Sequence, residues 1–136
     1  MSRLPAMPEV LVLTTAEADG PLLDAIRELL DDAFAGAFSP EDWQHTIGAF
    51  HAIVRDGDAV VAHAAVVPRT LEIDGRPVQA GYVEGVATAP ARQGEGLGSV
   101  VMTALEDVLR REFEMGALST DRHRLVGRPH SCAGFA

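Results

Sequence analysis

Apolar residues recur along this chain at two different spacings, and the change between them predicts the order of its elements. Residues 10–13 (VLVL) form a short apolar run that is typical of an edge strand. In the segment 19–36 the apolar residues recur at helical spacing, with Pro21 in the first turn, where a helix tolerates proline. A second, short helix is predicted after Ser39, which can cap it, with Pro40 at its first position.

From Phe50 onward the apolar pattern becomes typical of strands. The predicted strand segments are 50–55, 59–67, 69–73 and 77–88. Hairpin signals separate the first two at 56–58 (DGD) and the last two at Asp74-Gly75, and Pro68 is predicted to end the second segment.

A long helix is predicted from Leu97, because the apolar positions from there to residue 109 form a stripe with a 3.6-residue period. Gly116 is expected to close this helix, and residues 117–120 (ALST) open a further strand. The resulting order, β-α-α-β-β-β-α-β, predicts an α/β sheet with helices packed on it. Residues 121–136 show no clear periodicity, so they are predicted to form a loop or a weakly ordered tail after a domain that spans 1–120.

Composition narrows the class of protein. Hydrophobic residues make up 47% of the 136, which favours one packed domain over a disordered chain. No apolar run approaches the roughly 18 residues that a membrane span needs, and no secretory signal is visible at the start. The single cysteine, Cys132, excludes an internal disulfide framework and fits a reducing compartment. The sequence therefore predicts a cytoplasmic domain without a membrane partner.

The charge is strongly acidic and unevenly spread. The net charge is −9, every fixed side-chain cation is arginine, and the excess of acids lies in residues 1–120. Such a surface disfavours nucleic acid, whose phosphates need a basic footprint, and it suits a cationic amine, with ordinary solubility as the alternative. His45, His51 and His63 lack the spacing of metal ligands, so we expect packed or surface imidazoles and no metal site.

Three glycines, Gly94, Gly96 and Gly98, stand between the last predicted strand and the long helix. Each costs up to about 1 kcal/mol in a helix relative to alanine, so the cluster needs a reason. A nucleoside triphosphate loop would need a lysine after the last glycine, and a dinucleotide fingerprint would need glycine where Ser99 stands. The segment 93–98 (QGEGLG) matches a third pattern, in which backbone N–H groups and the helix dipole converge on a diphosphate. A merely flexible connection is the alternative.

At this point the chain resembles the GNAT acetyltransferase superfamily, whose pyrophosphate loop has this form and position. The segments AFAGAF, DWQHTIGAFHAIV, AHAAVVPR and GYVEGVA are similar to those of the aminoglycoside 2'-N-acetyltransferases. The resemblance covers roughly residues 9–120. It implies a GNAT acyl-CoA N-acyltransferase fold with a mixed central sheet flanked by helices, acetyl-CoA as the acetyl donor, and an aminoglycoside or another cationic amine as the acceptor.

Glu84 is the candidate base. A lone glutamate in an apolar strand is costly unless it faces water, a partner or a substrate. Strand alternation puts Tyr82, Glu84 and Val86 on one face, and the resemblance implies that Glu84 takes the amine proton through bound water. The alternative is a structural ion pair with an arginine such as Arg69. Gly85 is compatible with a bulge, after which the N–H of Val86 would face the thioester oxygen.

The resemblance also implies the residues that contact cofactor and substrate. The implied cofactor contacts are Val86, Ala87, Thr88, Gln93, Gly94, Glu95, Gly96, Leu97 and Gly98. The candidates on the substrate side are Asp42, Glu84, Gly85 and Ser119, although Asp42 is equally explained as a first-turn helix acid.

The chain departs from the family pattern at two places. Ala37 stands where the subfamily often has an acidic residue, and the match stops after Thr120, before the helix with the acid tyrosine and the closing strands. A C-terminally truncated fold would leave the strand at 117–120 with an unpaired edge, and such edges favour self-association, a homodimer included. Two other functions stay open: acetyl transfer to a polyamine or protein amine, and acyl-CoA binding without catalysis.

Overall fold

The computed structural model describes residues 8–48, 50–119 and 124–127, in which one mixed sheet of six strands carries helices on both faces. The elements are β1 (Glu9–Thr14), α1 (Gly20–Ala33), α2 (Pro40–Thr46), β2 (Phe50–Asp56), β3 (Ala59–Ile73), β4 (Arg76–Thr88), a 3-10 turn (Pro90–Arg92), α3 (Leu97–Glu112), β5 (Met115–Ser119) and β6 (Arg124–Gly127). The strands lie side by side in chain order, and the β4–β5 pair is parallel while the other pairs are antiparallel.

The apolar faces of the helices divide the core into two layers. The predicted stripe of α3 is confirmed, because Val101, Leu105 and Leu109 are buried against the face of the sheet that carries Val54 and Val66. The buried residues of α1 and α2, among them Leu30 and Trp43, cover the opposite face around Ile53. No helix in the described ranges has the length and apolar content that a bilayer span requires.

Side-chain caps start both N-terminal helices, and the cap predicted at Ser39 is confirmed. The Asp19 carboxylate accepts a hydrogen bond of 2.9 Å from the Leu22 N–H at the start of α1. At α2 the Ser39 hydroxyl accepts from the Asp42 N–H (3.0 Å) and the Asp42 carboxylate accepts from the Ser39 N–H (2.8 Å). This reciprocal pair satisfies backbone donors that the first turn cannot satisfy internally, and it fixes where α2 begins.

Pro68 does not end a strand, contrary to the sequence prediction. The two segments on either side of it form one continuous strand of 15 residues, β3, in which Pro68 is opposite Gly81 of β4. The pairing of β3 with β2 stops at Val66, so at Pro68 the strand has a strand neighbour on one side only. Proline is tolerated in such a locally edge-like position, because no second ladder requires its missing N–H.

The C-terminal part of the chain differs from the prediction in two ways. Gly116 does not close α3, which ends at Glu112; it lies inside β5, opposite Gly81 of β4. The expectation that β5 has an unpaired edge is also wrong, since Arg124–Gly127 forms β6 and pairs antiparallel with it. The rest of the segment predicted as a tail lies outside the described residues.

Candidate active site

A bulge in β4 shapes the centre of the sheet. Ala65 is paired with Glu84 and His63 with Ala87, so Gly85 and Val86 together stand opposite the single residue Ala64. Gly85 has φ +58°, a conformation that favours glycine, and a Cβ there would lie 3.0 Å from Thr46 Cγ2. The bulge expected from Gly85 is thereby confirmed, and its cause is an extra residue in β4.

The extra residue changes which side chains share a face. Glu84 and Ala87 are three positions apart, so a regular strand would direct them to opposite faces. Instead Ala87 packs in the α1–α2 layer, and Glu84 lines a pocket with residues of α2. The side chain of Val83, the neighbour of Glu84, lies in the layer of α3.

A pocket of about 230 Å³ brings together three of the four residues that the sequence assigned to the substrate. We call it the acidic pocket, and its lining residues are Phe34, Ala37, Phe38, Asp42, His45, Thr46, Glu84 and Gly85. Asp42 and Glu84 place two carboxylates in its wall, so a cation is favoured there over an anion. Ser119 ends β5, one residue after the Leu118–Val83 pair, and its side chain lies outside what the structure describes.

Asp42 belongs to the first turn of α2, as its sequence position suggested, and it also lines the acidic pocket. Its Oδ2 completes the cap of α2, and the backbone hydrogen bond from Ser39 lowers the pKa of the carboxyl from its ordinary value. The same exposed side chain lines the acidic pocket. The carboxylate is therefore held ionised and oriented at the pocket wall by the helix that it caps.

Glu84 forms an ion pair with Arg69, the structural role that the sequence offered as the alternative to catalysis. Arg69 Nη2 lies 3.2 Å from Glu84 Oε1, and the guanidinium lies 5.4 Å from the centre of the Tyr82 ring. The Glu84 side chain is still 26% exposed and lines the acidic pocket. The ion pair holds one carboxylate oxygen at the sheet while the group as a whole faces the pocket.

A second pocket of about 280 Å³, the β4 pocket, lies on the other side of the bulge. Its lining residues are Ala33, Phe34, Val86, Ala87, Thr88 and Gln93. It thus brings together four of the residues that the resemblance implies for the cofactor. Phe34 lines both pockets, is 41% exposed and stacks on Phe38 with the ring centres 5.4 Å apart.

The glycine loop continues from this pocket into α3. Gly94 (φ +88°) and Gly96 (φ +81°) adopt left-handed conformations, and Gly96 precedes α3 without any side-chain cap. Gly96 thus offers no side-chain acceptor to the first N–H groups of α3, and uncapped helix N-termini of this kind bind anions. A Cβ built on Gly98 would lie 3.8 Å from Thr88 Oγ1, so the start of α3 adjoins the end of β4. Leu97 is buried in the α3 layer, which leaves its backbone for ligand contact.

Arg92 offsets the acidic residue of this loop. Its Nε donates to both carboxylate oxygens of Glu95 (3.0 and 2.9 Å), and its Nη1 donates to Asp56 at 2.9 Å. Glu95 is therefore turned toward the arginine and its charge is partly offset, since the same guanidinium also pairs with Asp56. The same contacts tie the loop to the turn between β2 and β3.

Two histidines form a buried hydrogen-bonded pair beneath the bulge. His51 Nδ1 lies 2.9 Å from His63 Nε2, His63 Nδ1 lies 2.7 Å from the carbonyl oxygen of Gly85, and His51 Nε2 lies 2.6 Å from Thr15 Oγ1. Both rings are fully buried. Burial lowers the pKa of His51 to about 4 and that of His63 to about 3, so both imidazoles are neutral near pH 7.

The sequence located the carboxylates and the loop but missed other residues of the site. It gave no role to Phe34 or Arg92, whose functions depend on distant parts of the chain. His51 and His63 were expected only as packed or surface groups, although hairpin pairing across 56–58 brings them together on one face. In the described residues no group of three or more His, Cys, Asp or Glu side chains is placed to hold a metal ion.

Comparison with known proteins identifies the family of this arrangement. A family model described as acetyltransferase (GNAT) domain matches residues 17–118. A curated relative from Mycolicibacterium fortuitum, aminoglycoside 2'-N-acetyltransferase, is 41% identical over 105 residues, which are 77% of this chain and 54% of the relative. The chain thus spans about half the length of that protein.

Solved structures show the same fold at lower identity. Escherichia coli ElaA superposes with a TM-score of 0.66 at 20% identity, over 85% of this chain and 80% of that one. A GNAT family acetyltransferase from Brucella melitensis, solved in complex with acetyl-CoA, gives a TM-score of 0.63 at 20% identity, over 83% and 77% of the two chains. At these identities the likeness concerns the fold alone.

The buried histidine pair makes folding stability depend on pH. Unfolding returns each imidazole to its ordinary pKa of 6.5, so below that pH the unfolded chain binds more protons than the folded one. We expect the free energy of unfolding, measured with urea, to fall as the pH is lowered from 7 to 5. Each of the two imidazoles contributes up to about 1.4 kcal/mol per pH unit.

Carboxylates with ordinary pKa values stay ionised over most of this range, so the slope reports histidines. His63→Asn should reduce the slope of unfolding free energy against pH, because one of the two buried imidazoles is removed. His45→Gln, a change at an exposed position of α2, should leave this slope unchanged. An unfolding free energy that is constant between pH 7 and 5 would contradict the assignment.

Proposed function

Because the chain belongs to the GNAT acetyltransferase family, we propose that it transfers an acetyl group from acetyl-CoA to a cationic amine, with the 2'-amine of an aminoglycoside as its acceptor. The observation that carries this proposal is the bulge at Gly85–Val86. It turns the Glu84 carboxylate into the acidic pocket and the backbone after Val86 into the β4 pocket, so that an acceptor site and a donor site adjoin.

The glycine loop would hold the pyrophosphate of the donor. Gly94 and Gly96 take up backbone conformations that bring N–H groups together without side chains in the way, and nothing lies within 4 Å of a Cβ built on either residue. The dipole of α3 adds attraction for negative charge at this end of the helix. Arg92, which Glu95 shares with Asp56, partly offsets the opposing charge of this glutamate.

Acetyl-CoA supplies an activated thioester: the amine nitrogen bonds to its carbonyl carbon, the C–S bond breaks, and the released CoA thiolate takes a proton from water. The chain must therefore deprotonate the amine and stabilise charge on the thioester oxygen. Glu84 would accept the amine proton through water, since the pocket that it lines is open and the side chain is partly exposed. The N–H of Val86 would donate to the thioester oxygen from the adjacent pocket. Arg69 would hold the glutamate at one oxygen and limit its rotation.

The acceptor is proposed from the charge of its pocket and from the named relative. Asp42 and Glu84 suit an ammonium-rich sugar, and a protein described as aminoglycoside 2'-N-acetyltransferase shares 41% of its aligned residues with this chain. Turnover should therefore be higher on aminoglycosides that carry a free 2'-amine than on those that lack it. Equal turnover on polyamines would assign a broader amine specificity, and CoA binding without any turnover would assign a binding function.

Gly96→Val should abolish or strongly weaken the binding of CoA measured by calorimetry. A branched side chain at φ +81° is strained, and it would occupy the space that the pyrophosphate needs. Gly75→Val is the matched control, because Gly75 has φ +75° with open space around it but lies in the β3–β4 turn. Equal CoA affinity in the Gly96 variant and the control would refute the loop assignment.

Glu84→Gln should lower kcat/KM by about 10²–10⁴, the usual loss for a general base. The loss should shrink at high pH, where more of the amine is already neutral. Glu72→Gln, on the neighbouring strand β3, is a control that changes the same charge away from both pockets. A pH–rate profile identical to that of the wild type would leave Glu84 with the structural role that its Arg69 pair suggests.

Asp42→Asn should raise KM for a polycationic acceptor several-fold and leave the affinity for CoA unchanged. The asparagine oxygen can still accept from the Ser39 N–H, so the start of α2 is kept while the charge is lost. Glu41→Gln removes a charge from the same helix turn outside the pocket and is the matched control. If both variants raise KM equally, the effect comes from general surface charge and not from the acidic pocket.

A further inference from the structure

A line of hydrogen bonds runs beneath the sheet and ends at the bulge. It leads from the Gly48 N–H to Thr15 Oγ1 (2.9 Å), from Thr15 to His51, from His51 to His63 and from His63 to the carbonyl of Gly85. Every described buried side-chain polar atom has a partner, these imidazole nitrogens included. The Gly85 end adjoins both pockets, whereas the acetyl-transfer roles proposed above use neither histidine.

The last acceptor in this line fixes the position of each proton. A carbonyl oxygen can only accept, so His63 must carry its proton on Nδ1. The neutral ring then accepts at Nε2, which requires His51 to donate from Nδ1 and to accept from the Thr15 hydroxyl at Nε2. Because the line ends on a carbonyl, which has no proton to give or take, it holds atoms in place and does not conduct protons.

The carbonyl at the end of the line belongs to the same peptide group as the N–H of Val86. A peptide group is planar and trans, so its C=O and its N–H point in opposite directions, and fixing one fixes the other. Gly85 has φ +58°, and glycine in a bulge would otherwise allow this peptide to rotate. Thr46 and His63 lie on the Gly85 side of the peptide, within 3.0 and 3.4 Å of the position of a Cβ.

We propose that His63, oriented by His51, is a positioning residue whose Nδ1–H locks the Gly85–Val86 peptide and thereby directs the Val86 N–H at the thioester oxygen. This rests on the proposed acetyl transfer for its purpose, but the locked peptide is a property of the protein without ligand. A hydrogen bond to the carbonyl also polarises the peptide, which makes the Val86 N–H a stronger donor. Both rings are fully buried, so the nitrogens of the histidine pair are shielded from bulk water.

The first test uses NMR of the full chain without ligand, labelled with ¹⁵N. At pH 7 both buried imidazoles should show the neutral form with the proton on Nδ1. An Nε2–H form at His63 would overturn the proposal, because that ring could not donate to Gly85. The amide signal of Val86 should move in His63→Leu and return toward its wild-type position in His63→Asn, whose side-chain nitrogen replaces Nδ1.

The second test measures function in the same variants, using acetyl-CoA and an aminoglycoside with a free 2'-amine. His63→Leu should lower kcat by roughly 10–100-fold, part of the 10²–10³ that loss of an oxyanion donor costs, while Kd for acetyl-CoA changes by less than about fivefold. His63→Asn should restore most of kcat. On addition of acetyl-CoA the Val86 amide proton should shift in wild type and His63→Asn but not in His63→Leu.

Val54→Ala is the control that separates a loss of stability from a loss of peptide positioning. It removes packing in the α3 layer, on the other face of the sheet from the histidine pair. It should lower the free energy of unfolding and leave both kcat and the Val86 amide signal near their wild-type values. If Val54→Ala lowers kcat as much as His63→Leu at equal stability, the proposal is overturned. A wild-type protein that shows no turnover would refute the proposed function, while the ligand-free Val86 signals would still decide whether His63 locks the peptide.

Discussion

An antiparallel ladder sets one residue of a strand against one residue of its neighbour, and β4 departs from this rule at Gly85 and Val86. The extra residue shifts the alternation of side chains between the two faces of the sheet, so that Glu84 and Ala87 lie on the same face. Without it, either the carboxylate would face the layer of α3 or the end of β4 would lose its packing against α1. The two pockets, the glycine loop and the histidine pair are all placed relative to this one extra residue.

The sequence correctly predicted the elements that depend only on residues close to one another in the chain. Ser39 and Pro40 predicted the start of α2, and the stripe after Leu97 predicted α3, because caps and periodicity act within a few residues. Gly85 indicated a bulge by its residue type. The glycine loop and the two carboxylates of the acidic pocket also came from short motifs.

Elements that depend on distant partners were predicted wrongly or not at all. Pro68 reads as a strand end, yet it lies inside β3 because β2 stops short of it. The sequence 124–127 has no alternation long enough to indicate a strand, and only its pairing with β5 makes it one. Phe34 lines both pockets because the end of α1 lies next to the bulge of β4. The two segments are some fifty residues apart in the chain, so no local pattern indicates this contact.

The double use of Asp42 has a consequence for how this site can diversify. Its carboxylate completes the capping box of α2 and also charges the pocket wall, so one position carries a folding role and, in the proposed function, a recognition role. Selection for an uncharged or anionic acceptor would meet resistance here, since most replacements lose the hydrogen bond from the Ser39 N–H, which is worth about 0.5–1.5 kcal/mol. Asparagine keeps an oxygen that can accept from the Ser39 N–H, so it is the replacement that preserves this contact. Drift in specificity should therefore start at neighbours without a structural duty, such as Ala37, whose side chain only lines the pocket.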